Sequence, residues 1–137
     1  MSVAISVIIP FHNETEELLH CLNALQGQTF QDFEILLVPD GASVYALEIA
    51  KSCTAKNVTV LENTEAKGQS FARQRAIDIA KGQFIAIQDA DDISFPDRIE
   101  KQVAFMDSNP IVDMVGGSAE IINNIGEKMP IDKGLSE

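Results

Sequence analysis

Short β-branched runs alternate along the chain with segments whose apolar residues recur at helical spacing. The runs predict four buried strands, at residues 3–9, 33–38, 58–61 and 83–87. The helical spacing predicts helices near residues 18–25, 44–53, 68–80 and 94–106. Strands and helices that alternate with short connections predict an α/β fold, with a mostly parallel sheet flanked by helices.

The C-terminal part of the sequence gives weaker signals. Ser94, followed by Pro96 and Asp97, predicts the N-cap of the last helix. Residues 112–122 predict a fifth strand, although two consecutive glycines interrupt that run. We interpret residues 1–137 as a single domain, with a weakly structured tail from about residue 123.

Composition and charge limit the partners and the compartment that we expect for this protein. Ten Lys and Arg against twenty-one Asp and Glu give a net charge of −11, which argues against nucleic acid as a partner. The chain has no apolar run long enough for a transmembrane segment and no basic leader, so we expect a cytoplasmic protein. Cys21 and Cys53 lack metal-ligand spacing and are expected to be reduced thiols.

Polar residues follow the predicted strands at the edge where an open α/β sheet binds ligands. Pro10, Phe11, His12 and Glu14 follow the first strand, and Asp40 follows the second. Glu62 follows the third strand and an acidic group follows the fourth, so carboxylates recur along this edge of the sheet. Acids at one strand end can serve solubility alone, but their recurrence at this edge favours a site.

The acidic group after the fourth strand, Asp89-Ala90-Asp91-Asp92, predicts a metal site. Three carboxylates within four residues repel one another unless solvent or a cation relieves the repulsion. Oxygen ligands of this kind suit Mg²⁺ or Mn²⁺, held together with substrate phosphates. The sequence contains neither GxGxxG after the first strand nor GK[ST], which argues against a Rossmann dinucleotide cofactor and P-loop chemistry.

Six motifs in order give the chain a resemblance to family-2 glycosyltransferases with the GT-A fold. They are residues 6–14, 28–35, 40–43, 68–73, 81–92 and 96–102. The resemblance implies a Rossmann-like nucleotide-diphospho-sugar transferase fold. It also implies that this chain carries the donor-binding half, truncated before the acceptor half.

The resemblance assigns roles to individual residues. It implies a nucleotide-binding set of Pro10, Phe11, His12, Glu14, Asp40, Arg73 and Asp89. In that set Asp40 would accept the N3–H of uracil, and Arg73 would reach the nucleotide. Asp91, with Asp89 as a second candidate, would hold the metal. Two positions depart from the family pattern, namely Pro39 before Asp40 and Gln74 after Arg73.

The implied reaction moves a sugar from a nucleotide-diphosphate donor, expected to be a UDP-sugar, to an acceptor hydroxyl with inversion. A divalent cation would neutralise the leaving diphosphate. Glu120 and Asp132 lie in the direction of the missing base but lack motif context, so no catalytic base is assigned and the chain alone is expected to be inactive. The acceptor would be a glycan or a lipid-linked glycan in polysaccharide biosynthesis, with the protein at the inner membrane face.

Two other functions fit parts of the same pattern. A sugar-nucleotide pyrophosphorylase has a similar sheet and also uses a divalent metal, but it would need a Gly-rich basic loop after the first strand. The sequence there is Phe11-His12-Asn13-Glu14. A non-catalytic nucleotide-binding module could keep the fold without the reaction. Binding of UDP, UTP and Mn²⁺ would distinguish the three.

Overall fold

The computed structural model describes residues 3–53 and 55–130. Strands and helices alternate in the predicted order: β1 (Val3–Phe11), α1 (Glu16–Gln26), β2 (Phe33–Pro39), α2 (Val44–Ser52), β3 (Val58–Val60), α3 (Gln69–Ile77), β4 (Gly82–Ile87) and α4 (Arg98–Ser108). The chain divides into two compact units, residues 1–101 and residues 102–137. Among the described residues, no helix has the length and apolar character needed to cross a bilayer.

The four strands form one parallel sheet in the order β3-β2-β1-β4. The central strand β1 pairs with both neighbours, so that Val7 lies beside Ile35 of β2 and Ala86 of β4. The predicted α/β fold with a mostly parallel sheet is confirmed. Because all strands run in the same direction, their carboxyl ends meet at one edge, where we expect ligands.

The core of the first unit lies around β1 and β2, whose residues are buried on both faces of the sheet. Helix α1 contributes Leu18, Cys21, Leu22 and Leu25 to the buried set. Helix α3 buries only Ala72 and Ala76, which pack against Ile8, Leu36 and Val38. These small side chains let α3 approach the sheet closely, which places its polar residues beside the carboxyl edge.

Gly82 explains how β4 begins against β1. A Cβ at this position would collide with the backbone of Ile5 and Ser6, so the close approach requires glycine. The backbone N–H of Gly82 donates to the Ser6 hydroxyl at 2.8 Å, and that hydroxyl donates to the Glu34 carboxylate at 2.6 Å. The buried Ser6 therefore links three strands through satisfied hydrogen bonds.

The structure corrects the predicted fifth strand. Residues 112–121 form no strand, and only an isolated bridge joins Ile122 to Lys128 around a turn. Gly116 and Gly117 weaken extended pairing, and the structure assigns this segment no partner strand within 3–53 and 55–130. Met114 is accordingly 86% exposed. Asp132 lies outside the described residues.

Helix α3 also ends earlier than predicted, at Ile77 rather than near Ala80. The N–H of Ala80 bonds to the carbonyl of Ile77 at 3.3 Å, which is the tighter spacing typical of a helix end. Asp78, an acid at the C-terminus of the helix, opposes its dipole and disfavours continuation.

Candidate functional site

A pocket lies at the carboxyl edge of the sheet, between the loops after β1 and β2. It is lined by Pro10, Phe11, His12, Glu14, Asp40 and Gln69. The structure therefore brings together five of the seven residues predicted to bind a nucleotide. Gln69 was missed by the sequence analysis, although it lies inside the quoted motif at residues 68–73 and is the first residue of α3.

Hydrogen bonds between the two loops fix the shape of this pocket. The N–H of Asp40 donates to the carbonyl of Phe11 at 2.9 Å, and Nδ1 of His12 contacts the carbonyl of Asp40 at 2.8 Å. A carbonyl can only accept, so in the neutral imidazole Nδ1 carries the proton and Nε2 remains an acceptor. The backbone N–H of His12 donates to the Glu14 carboxylate at 2.6 Å. The side chains of His12 and Glu14 are thus held at the pocket rim.

The Asp40 carboxylate binds the chain segment that leads into α3. One oxygen accepts the backbone N–H of Lys67 at 2.7 Å, and the other accepts the N–H of Gly68 at 3.0 Å. Gly41, with φ of +60°, makes the tight turn beside Ala66 that permits this approach. A carboxylate has about four acceptor positions, so Asp40 retains capacity for one further donor such as a base N–H.

Arg73 connects the pocket to the acidic turn, which is formed by Asp89-Ala90-Asp91-Asp92 after β4. Its Nη2 donates to the Gln69 side chain at 3.2 Å and lies 3.6 Å from Oδ1 of Asp89. Its Nε is buried and has no hydrogen-bond partner within 3–53 and 55–130. A buried donor without a partner is uncommon in folded proteins.

The acidic turn brings three carboxylates together, those of Asp89, Asp91 and Asp92. Each offers an oxygen, and these oxygens lie within 4.8 Å of one another on the exposed surface. Desolvation raises the pKa of Asp92, and the neighbouring Asp91 and Asp89 raise it further. A set of oxygen ligands at this spacing fits a hard divalent cation such as Mg²⁺ or Mn²⁺.

The predicted N-cap of the last helix, Ser94, is wrong. The Ser94 hydroxyl donates to the side chain of Gln88 at 2.7 Å, and α4 begins only at Arg98. The side-chain oxygen of Gln28 instead accepts the N–H of Ile99 at 3.1 Å, which satisfies an amide in the first turn of α4. Ser94 is buried, so its hydroxyl bonds to the nearest internal acceptor rather than to the helix end.

Cys21 lies beneath the acidic turn. Its Sγ is 3.7 Å from the carbonyl of Asp89, which it contacts as a weak donor. Burial, together with a smaller contribution from the nearby Asp92, raises the pKa of the Cys21 thiol to about 12. The thiol therefore stays protonated and unreactive. Cys21 and Cys53 are both free, and Cys53 is the C-cap residue of α2.

Comparison with known proteins agrees with this architecture. The model of the family described as glycosyl transferase family 2 matches residues 6–134, so this chain belongs to that family. The fold is that of the GT-A glycosyltransferases, as the resemblance implied. A crystal structure of S. aureus TarS with UDP-GlcNAc aligns over 87% of this chain, with a TM-score of 0.73 and 25% identity.

Two curated relatives are more similar in sequence. The glycosyltransferase MJ1057 of Methanocaldococcus jannaschii is 35% identical over 115 residues, which are 81% of this chain. The E. coli protein WfgD is 32% identical over 120 residues, or 88% of this chain, and is named as a UDP-Glc:α-D-GlcNAc-diphosphoundecaprenol β-1,3-glucosyltransferase. The chain spans 40% of MJ1057, 47% of WfgD and 40% of the TarS chain.

Proposed function

We propose that this chain is the donor-binding part of a glycosyltransferase, which moves a sugar from a UDP-sugar to an acceptor hydroxyl. One observation carries the proposal. The pocket at the ends of β1 and β2 is joined to the acidic turn through Gln69 and Arg73, whose contacts run without interruption to Asp89. A nucleoside diphosphate needs such a pairing, with a pocket for the base and a charged region for the phosphates.

In this proposal the nucleoside occupies the pocket. Pro10 and Phe11 offer apolar surface to the base, while His12 and Glu14 border the base and ribose. Asp40, whose carboxylate is already fixed by two backbone donors, uses a remaining acceptor position for the N3–H of uracil. Cytosine presents an acceptor at N3 and would leave that carboxylate position unpaired, so the contact favours uracil.

The diphosphate would lie at the acidic turn. Asp91 and Asp89 would hold Mg²⁺ or Mn²⁺, and Asp92 completes the group of carboxylates. The bound cation supplies Lewis-acid stabilisation of the charge that develops on the leaving diphosphate. Arg73, whose side chain is 31% exposed beside Asp89, adds a guanidinium that donates to the nucleotide.

The names of the relatives support the proposed donor and acceptor classes. TarS was crystallised with UDP-GlcNAc, and WfgD is named for UDP-Glc, which supports a uridine nucleotide for this chain. The acceptor named for WfgD is lipid-linked, which supports a lipid-linked glycan as acceptor, polysaccharide biosynthesis as the setting and a position at the inner membrane face. We propose an inverting displacement, for which none of the described residues is assigned as the base.

Calorimetric titration of UDP into residues 1–137, with and without Mn²⁺, tests the proposal. We expect UDP to bind in the presence of Mn²⁺ and to lose most of its affinity when EDTA removes the ion. A preference for UTP would favour the pyrophosphorylase. Absence of UDP binding under both conditions would contradict the donor-binding role and favour a module of another kind.

A further inference from the structure

Gln88, which the proposed function does not use, is the first residue after β4 and directly precedes the acidic turn. Its side chain is 3% exposed, and its backbone N–H donates to the carbonyl of Ile8 at 3.1 Å, which continues the pairing with β1. A buried primary amide is costly unless both its donor and its acceptor groups are bonded. The partners of this amide therefore indicate its role.

The amide nitrogen of Gln88 binds both ends of the acidic turn. It donates to the carbonyl of Asp89 at 3.1 Å and to the carbonyl of Asp92 at 3.1 Å. The backbone N–H of Asp92 also donates to the carbonyl of Asp89 at 3.2 Å, which closes the turn. One side chain thus holds the backbone of the first and last aspartates of the cluster.

The amide oxygen of Gln88 fixes the orientation of the group. It accepts the Ser94 hydroxyl at 2.7 Å and a hydrogen bond from Nη1 of Arg98. Arg98 also donates through Nη2 to the carbonyl of Ile87 at 3.1 Å. A flipped amide would set its NH₂ against two donors and its oxygen against two carbonyls, so only this orientation satisfies all four partners.

We propose that Gln88 is a positioning residue, which holds the carboxylates of Asp89, Asp91 and Asp92 together before a divalent cation binds. The inference rests on the proposed function of these aspartates as the metal site. Gathering three carboxylates is opposed by their mutual repulsion, so the turn needs a restraint. Gln88 supplies that restraint through backbone carbonyls only, which leaves the carboxylate charge available to the cation.

The variant Gln88→Glu distinguishes the positioning role of Gln88 from the effect of an added negative charge. Glutamate keeps an acceptor for Ser94 and Arg98 but sets an oxygen against the carbonyls of Asp89 and Asp92. The added negative charge should by itself strengthen cation binding. We nevertheless expect Mn²⁺ affinity, measured by electron paramagnetic resonance, to fall by at least about tenfold, as for other residues that orient metal ligands.

Gln83→Glu is the matched control, because Gln83 lies on β4, the strand that ends just before Gln88, and has an exposed side chain. It adds the same charge without touching the acidic turn, so Mn²⁺ affinity should stay equal to that of the wild type or rise. Equal or stronger Mn²⁺ binding by Gln88→Glu would overturn the positioning role. Gln88→Met, which removes both donors without adding charge, replaces the glutamate variant if that variant does not fold.

A second measurement tests Gln88 without metal. Backbone amide exchange at residues 89–92 should be at least about tenfold faster in Gln88→Glu than in the wild type, while exchange in β1 and β2 is unchanged. Unchanged exchange at residues 89–92 would overturn the inference by itself. If the wild type binds no Mn²⁺, the proposed metal site fails, and this exchange result alone decides whether Gln88 holds the turn.

Discussion

Carboxylates at the same edge of the sheet have two different environments. Both oxygens of Asp40 accept backbone N–H groups, from Lys67 and Gly68. The carboxylates of Asp89, Asp91 and Asp92 instead face one another within 4.8 Å. The charge of Asp40 holds the chain at the start of α3, whereas the charges of the cluster repel one another. Position at a strand end alone does not distinguish the two kinds of carboxylate, but the atoms around each of them do.

The difference arises from the backbone next to each strand end. After β2, the turn at Gly41 brings Asp40 against the amides that precede α3. After β4, the side chain of Gln88 donates hydrogen bonds to the backbone carbonyls of Asp89 and Asp92, which leaves the aspartate side chains on the outside. Backbone donors therefore offset the charge of Asp40, while the carboxylates of the acidic turn repel one another.

Removing the proposed metal ligands should have the largest effect. Asp89→Asn with Asp91→Asn eliminates two negative oxygen ligands while keeping the shape of the turn. We expect UDP affinity in the presence of Mn²⁺ to fall by at least about 100-fold in calorimetric titration, beyond the effect of losing a residue that only orients a ligand. Asp113→Asn, an exposed aspartate in the second unit, is the control. Unchanged UDP affinity in the double variant would remove the basis for the metal site.

Replacing Asp40 should lower stability. Asp40→Ala removes the acceptor for two backbone donors, each a hydrogen bond to a charged group. Because these bonds are exposed, we expect the free energy of unfolding in urea to fall by about 1–3 kcal/mol. Asp32→Ala, at an exposed aspartate just before β2, should have little effect. Equal stability of the two variants would mean that Asp40 does not hold the start of α3.

A smaller effect should follow from Asp92, whose pKa is raised by desolvation and then by Asp91 and Asp89. A raised pKa means that the folded state holds this proton more tightly than the unfolded state, so stability falls as pH rises through the interval between the two pKa values. Asp92→Asn should therefore be more stable than the wild type at pH 7, by up to about 1 kcal/mol for an exposed group.

Asp92→Asn and the wild type should have equal stability at pH values below the unfolded pKa of about 3.9, where the aspartate is protonated in both the folded and the unfolded state. Thermal unfolding across this pH range provides the measurement. A variant less stable than the wild type at pH 7 would show that Asp92 is stabilised, rather than strained, by its neighbours.

The sheet was predictable because its strands have a local signature. β-branched runs mark β1 and β2, and the short connections imply parallel pairing. The predicted fifth strand was wrong because a strand also needs a neighbour to pair with. An apolar run such as residues 112–122 carries no information about that neighbour.

The site was predictable to the extent that it depends on strand ends. Pro10, Phe11, His12, Glu14 and Asp40 line one pocket because the loops after adjacent parallel strands must meet. Contacts between distant segments were not predictable. Ser94 has the local pattern of a helix cap, but Gln28, 71 residues before Ile99, supplies the acceptor in the folded chain.

Mn²⁺ binding without nucleotide, measured by electron paramagnetic resonance, distinguishes the two environments most directly. Asp40→Asn and Asp91→Asn make the same chemical change at one edge of the sheet. We expect Asp40→Asn to bind Mn²⁺ with the affinity of the wild type and Asp91→Asn to bind it at least about tenfold more weakly. Equal loss of affinity in the two variants, or no Mn²⁺ binding by the wild type, would contradict the assignment.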